Sequence, residues 1–267
     1  MQTQTLGLES VANARQLGGY RAAEGKRVRD GCLLRSGTLA GASQNDIDRL
    51  TKEYGLTTVI DLRTQRERTE KPDPIISGVS YYALPVMGEE SVNQQAIVEI
   101  YRKFPNDPGK AYVEMVRKGA LTEDMYTAFF AARESIDACR GFFDILLAQR
   151  EGAALWHCTG GKDRAGLAAV LILSVLGVDE QTILTDFALT NEVNQARIDF
   201  VVTAAKVYTE KEDELAAVAA LAGVSVPHMQ AVFDLAKEEN GSMLAFIQKK
   251  IGLTDYEVNR LRELYLE

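Results

Sequence analysis

The strongest constraint on the fold is a strand, a tight loop and a helix written into one run, Ala154-Leu-Trp-His-Cys-Thr-Gly-Gly-Lys-Asp-Arg-Ala-Gly-Leu-Ala-Ala-Val-Leu-Ile-Leu173. A short apolar segment ends in His157 and Cys158, two glycines follow, and Arg164 opens a long apolar stretch. A chain that turns through Gly160 and Gly161 into a helix presents backbone N–H groups on the inside of the turn. The helix start adds unpaired N–H groups and the positive end of its dipole. Such a junction holds anions, phosphate in particular. Its two ends carry a thiol, Cys158, and a guanidinium, Arg164. The helix end and the arginine favour the thiolate, the nucleophilic form. A thiolate there faces the phosphorus of a bound monoester.

Cys158 to Arg164 resembles the Cys-x5-Arg signature of the protein tyrosine phosphatase superfamily. His-Cys-Thr-Gly-Gly-Lys-Asp-Arg is similar to the signature of the atypical bacterial tyrosine and lipid phosphatases, the group that includes the mycobacterial triple-specificity enzymes. Asn13-Ala-Arg15, Leu17-Gly-Gly-Tyr20, Leu34-Arg-Ser-Gly37 and Val59-Ile-Asp-Leu-Arg63 look like the family's successive N-terminal blocks. Asn240-Gly-Ser, Leu253-Thr and Leu261-Arg262 resemble its C-terminal helices. The resemblance covers nearly the whole chain and implies one catalytic domain over residues 1–267. Its fold would be α/β: a tyrosine-phosphatase-like, mostly parallel central sheet flanked by helices, with a helical lid insertion and a helical C-terminus.

The same resemblance implies roles for single residues. Cys158 is the nucleophile and forms a phosphocysteine. The N–H groups from Thr159 through Gly160, Gly161, Lys162 and Asp163 to Arg164 cradle the phosphoryl oxygens, and Arg164 grips them with its planar fork. Asp163, inside the loop, is one candidate for the general acid, and Asp61 is the other; either can instead be an ionised structural carboxylate. Lys162 resembles the extra loop charge of phosphoinositide phosphatases, against the plain reading of a solvated lysine. Arg63 and Arg35 resemble site-supporting residues, and Arg63 and His157 are expected among the residues that bind the phosphate. His157 either orients the loop or packs at the strand end. No metal and no cofactor is implied. The family's usual threonine or serine after the signature arginine is Ala165 here, so the departing thiolate lacks a hydroxyl donor.

Composition narrows the alternatives. A formal charge of −8 and a pI near 5.0 argue against a general nucleic-acid binder. Any anionic substrate must then be drawn by a local basic site. Cys32, Cys139 and Cys158 form no disulfide framework and fit a reducing compartment. The N-terminus lacks a basic segment followed by an apolar one, and Ala165–Val178 is too short to span a bilayer, so a cytoplasmic location and no stable membrane insertion are expected, with export by a route without a cleavable signal as the alternative. The expected partner is a phosphorylated protein, with phosphoserine, phosphothreonine or a phosphoinositide as further substrates. The rivals are a phosphoinositide phosphatase, a rhodanese-like sulfur transferase and a phosphate-binding module without turnover. Oligomeric state is left unassigned.

Along the chain, Gly31–Arg35, Thr57–Leu62 and Val79–Pro85 read as strands. Ser43 and Asp46 begin a helix running to Gly55. The charged stretch Arg63–Lys71 follows; its Arg66 and Arg68 extend a basic rim or, the preferred reading, pair with Glu67 and Glu70 on a helix surface. Gly88–Leu121, broken by Pro105 and Pro108, reads as the inserted lid over the strands' carboxyl ends, or as a helical excursion packed elsewhere. Met125–Arg150 reads as one long helix. Beyond Asp179 the pattern is helical to the end, with stops at Gly241 and Gly252 and a capping box from Thr254 to Glu257.

Overall fold

The computed structural model describes residues 5–86, 92–122 and 124–267. At its centre is a sheet of five strands in the order β1-β2-β5-β3-β4. They are β1 (Arg15–Gln16), β2 (Leu33–Ser36), β3 (Leu56–Asp61), β4 (Ser80–Ala83) and β5 (Ala153–His157). Only the β1–β2 pair is antiparallel. β5 comes last in the chain yet lies in the middle, with every residue buried; covered on both faces, it reads as an unbroken apolar run. Its neighbours sort by alternation. Leu33, Ile60, Ala154 and Trp156 join the core on one face, and Leu34, Val59 and Leu155 that on the other. β4 is an edge strand and is exposed throughout.

The larger core is built with α5 (Arg133–Ala148), α6 (Asp163–Leu176), α7 (Glu180–Val193), α10 (Val226–Asn240), α11 (Met243–Ile251) and α12 (Asp255–Tyr265). The opposite face carries the segment around Leu6–Ala14 and the short α1 (Gln44–Asp48), which widens into a π turn over Arg49–Glu53. Capping boxes at Ser43/Asp46 and Thr254/Glu257 open α1 and α12. A third, Thr64/Glu67, converts the charged stretch after β3 into α2 (Gln65–Glu70). Gly241 and Gly252 close α10 and α11 in the left-handed conformation, as their place after the apolar periods indicates.

Two segments refine the sequence reading. Met125–Arg150 is not one helix: a 3-10 turn spans Thr127–Phe130, Ala132 is extended, and α5 begins at Arg133. Tyr126, Phe129 and Phe130 are all buried, and the 3-10 turn carries the two phenylalanines into the core ahead of α5. The described part of the 88–121 insertion is α3 (Val92–Lys103) and α4 (Pro108–Arg117), while residues 88–91 lie outside the described residues. α4 packs on α8 (Gln195–Ala205) and α9 (Glu212–Ala222) around an apolar cluster that includes Tyr112, Val113, Ile198, Val201 and Val218. Among the described residues, no single helix is long and apolar enough to cross a membrane.

Candidate active site

The strands β2, β5 and β3 end in register, with Ser36 and Asp61 both opposite His157. The next residue, Cys158, therefore leaves the sheet at the carboxyl edge, where parallel sheets hold their ligands. Cys158 is 3% exposed and Arg164 9%. The loop between them lies against the end of β2. Gly161 has φ +66, and a Cβ there would stand 2.5 Å from Gly37 N and 2.6 Å from Ser36 C. No side chain fits. Thr38 N–H donates to Thr159 O at 3.2 Å. α6 starts at Asp163 with no side-chain cap, so its first N–H groups are left to a ligand or water.

Arg164 is held from outside the loop. Its Nη1 and Nη2 each lie 2.7 Å from a Glu67 carboxylate oxygen, and the Thr159 hydroxyl donates to the same carboxylate. Glu67 also accepts Thr64 N–H at 2.9 Å in the α2 capping box. Burial alone would raise the Glu67 carboxyl; the Arg164 fork and the other donors outweigh it and hold it at about 2. Burial works against the Arg164 cation too, but the charges of Glu67 and Cys158 hold it above the ordinary arginine value. Glu67 is thus the arginine's partner, not a surface mate for its helix neighbours. Arg66 bonds Glu70, and Arg68 donates to Gln65 and to Arg63 O.

The two candidate acids differ sharply. Asp163 is half-buried at the start of α6 and accepts one bond from the Tyr126 hydroxyl at 2.7 Å. Asp61 is wholly buried. It takes the Arg63 fork at 2.7–3.1 Å, the Arg63 N–H at 2.9 Å and the Tyr81 hydroxyl. Burial would raise the Asp61 carboxyl, but Arg63, His157 and Tyr81 bring it below the ordinary range. A carboxylate held so firmly ionised is a poor proton donor.

Arg63 itself is 1% exposed, and each of its three nitrogens is engaged, by Asp61, Asp73, Thr38 or Lys71 O. It has no donor to spare for a phosphate. His157 is wholly buried, with Nε2 3.0 Å from Asp73 Oδ2 and Nδ1 3.4 Å from Cys158 O. Asp61, Asp73 and His157 stand close enough to ligate a cation. Arg63 Nη2, at 2.7 Å from Asp61 and 2.8 Å from Asp73, already fills that place. Lys162 turns away from the loop: its Nζ lies 2.8–3.0 Å from the carbonyls of Leu221, Ala222 and Gly223. It caps the negative end of α9.

Beneath the loop lies a cluster that sequence reading touched at Arg35 and at the Asn13-Ala-Arg15 and Leu17-Gly-Gly-Tyr20 blocks. Arg35 Nη2 donates to Gly161 O at 2.9 Å and Lys162 O at 3.2 Å, and Asn13 Nδ2 donates to Gly161 O at 2.7 Å. Asp186, on α7, pairs with Arg15 at 3.0 Å and Arg35 at 3.2 Å, and accepts the Tyr20 hydroxyl at 3.0 Å. Asp186 carried a readable signal, since it is an acid on the same helical stripe as Ile183, Phe187 and Thr190, and all four are buried. Tyr126 carried none.

A thiol and a guanidinium at the two ends of a glycine loop, between a central parallel strand and a helix start, define the cysteine–arginine class of phosphate loop. The chain belongs to the tyrosine phosphatase family, which it matches over residues 6–267. It is 34% identical over 189 residues to a provisionally named tyrosine-protein phosphatase of Cupriavidus necator, covering 71% of this chain and 64% of that protein. It is 30% identical over 160 residues to a tyrosine-protein phosphatase of Nostoc commune, covering 59% and 48%. Over 262 residues it is 25% identical to the triple specificity protein phosphatase PtpB of Mycobacterium tuberculosis, covering 90% and 92%.

Proposed function

We propose that this chain hydrolyses phosphate monoesters through a phosphocysteine, with protein phosphotyrosine as the main substrate and phosphoserine or phosphothreonine as secondary ones. The observation that carries the reading is the loop itself: Cys158 at the end of β5, Arg164 in the first turn of α6, and uncapped N–H groups between them. The Cys158 thiolate attacks phosphorus while the bond to the leaving oxygen breaks. Protonated Asp163 gives that oxygen its proton. Water then attacks the phosphocysteine, the Asp163 carboxylate takes the water's proton, and the S–P bond breaks to return the thiolate and release phosphate. Loop N–H groups and the Arg164 fork meet the charge of the equatorial oxygens in both steps.

Asp163 is the better acid because it is half-buried with a single hydroxyl donor, whereas Asp61 is spent on Arg63. Tyr126 serves as its orienting residue. Arg63 and His157 act by fixing the β3 and β5 ends rather than by touching substrate. A phosphoinositide reading has support in the name of the mycobacterial relative only at the level of triple specificity. Here the Lys162 ammonium is occupied by three carbonyls, which favours phosphoprotein over phosphoinositide. The test is phosphate release from phosphotyrosine peptides, phosphoserine peptides and phosphoinositides, with Cys158→Ser as control. Release ranked in that order and abolished in the variant supports the proposal. Phosphate binding without release, unchanged in Cys158→Ser, would replace it with a binding module.

A further inference from the structure

The cluster beneath the loop has an unusual charge count. Arg15, Arg35 and Asp186 are 2%, 0% and 1% exposed, and they bring two guanidinium groups to one carboxylate. Tyr20 and Asn13 complete the shell without adding charge. Among the described residues, one positive charge is therefore buried without a counter-ion, and Arg35 Nε is wholly buried with no hydrogen-bond partner. Ion pairs in an interior are tolerated when balanced, and an excess charge there calls for an anion. Of the groups whose negative charge would offset that of Arg35, Asp186 lies 3.2 Å away, and Cys158, as a thiolate, would be another.

The contacts of Arg35 also set the shape of the cradle. In a trans peptide the C=O and the following N–H point in opposite directions. Arg35 and Asn13 draw the Gly161 carbonyl downward, and Arg35 draws the Lys162 carbonyl with it. The N–H groups of Lys162 and Asp163 then point up, to the side where a phosphoryl group sits. Space for the guanidinium is made by Gly166, where a Cβ would lie 3.3 Å from Arg35 Nη2 and 2.5 Å from the Phe187 ring.

We propose that Arg35 is a positioning residue that works from under the phosphate loop, aiming its N–H groups through two carbonyls and supplying the buried counter-charge for the Cys158 thiolate and the bound phosphate. This rests on the phosphatase reading. It separates two tasks, a forked geometry that only arginine has and a charge that lysine shares.

The test measures three things on each variant: iodoacetamide alkylation of Cys158 near pH 6, inhibition by inorganic phosphate, and the kcat and KM of a phosphotyrosine peptide. Arg35→Met lowers alkylation and phosphate affinity each by about tenfold or more, the scale of one lost buried counter-charge. Arg35→Lys restores most of the alkylation rate but not the phosphate affinity, because a single ammonium cannot stand at the Nη2 place on the two carbonyls and at the Nη1 place on Asp186 at once. Asp186→Asn, which increases the excess positive charge, keeps alkylation at or above the wild-type rate although it lowers Tm. A purely architectural cluster would behave differently, with all three variants losing alkylation in step with their loss of Tm; that pattern overturns the proposal. So does wild-type alkylation in folded Arg35→Met. If wild type itself neither releases phosphate nor is inhibited by it, the phosphatase reading has failed first.

Discussion

Two buried arginine clusters flank the central strand, and they are built from the same residue types to opposite effect. On the β3 side Arg63 meets Asp61 and Asp73, with every nitrogen bonded; burial opposes its charge, but the two carboxylates win and strengthen the cation. On the β2 side Arg35 shares a single carboxylate with Arg15, and burial together with the Arg15 charge pushes it down to about 9. An arginine surrounded by carboxylates is a strut. An arginine beside another arginine keeps an unmet need for an anion. Arg164 stands between these cases, with one carboxylate partner, Glu67, that also belongs to the phosphate loop's outer wall.

The comparison breaks most easily at the strut. Asp61→Ala leaves Arg63 buried with half its counter-charge, and removing one partner of a buried pair costs about 3–5 kcal/mol. Urea unfolding checks this, and the folded fraction should retain its turnover. If folded Asp61→Asn instead loses turnover of substrates with poor leaving groups while keeping that of good ones, Asp61 is the acid and Asp163 is not.

Glu67 comes next. Its carboxyl is held at about 2 when folded against an ordinary 4.5, so its stabilisation is complete above about pH 4.5 and is lost as pH falls through about 2. The shift corresponds to about 3 kcal/mol. Glu67→Gln should lose that amount at neutral pH and show a flatter stability profile over the same window. A profile as steep as wild type would mean that other carboxylates carry the acid sensitivity. Lys162→Met sits lower, at about 1–2 kcal/mol for a helix-end cation. Phosphopeptide turnover should stay near wild type; selective loss of phosphoinositide hydrolysis would show that the ammonium leaves α9 to meet substrate.

What could be read beforehand follows the range of the physics. Cys158, Gly161 and Arg164 are set by a local demand, a tight turn feeding a helix start, and the apolar run of β5 announces a strand buried on both faces. Glu67 was half visible: Thr64 and Glu67 have capping-box spacing, but the arginine it holds lies 97 residues away. Lys162 shows the limit. Nothing near a loop lysine says that its amine will end on the carbonyls of Leu221–Gly223, because that depends on how α9 packs. Tyr126 was hidden by its own periodicity, since aromatic spacing suggested a continuous helix where the chain bends to bring a hydroxyl to Asp163. Asp186 was legible but unread, and it holds the cluster that departs most from a neutral core.

Ala165 offers the smallest and sharpest test of that cluster. The residue is wholly buried in the first turn of α6, and its carbonyl accepts the Trp156 indole N–H at 3.0 Å. The resemblance carried by the loop implies a hydroxyl at this place, which would stabilise the thiolate as it leaves a phosphocysteine. On the proposed mechanism, the second step without it would lean on the loop N–H groups and on the Arg35 charge below. Wild type should therefore release a burst of leaving group before its steady rate. Ala165→Ser adds a donor worth about 1 kcal/mol, enough to speed the steady rate several-fold and shrink the burst, with little change in Tm. In the Arg35→Met background the same serine should help more, because the thiolate has lost its other source of stabilisation. An equal gain in both backgrounds would mean that Arg35 acts on phosphate binding alone. No burst, with an unchanged rate in Ala165→Ser, would show that breakdown of the phosphocysteine is not the slow step and that the missing hydroxyl is without consequence.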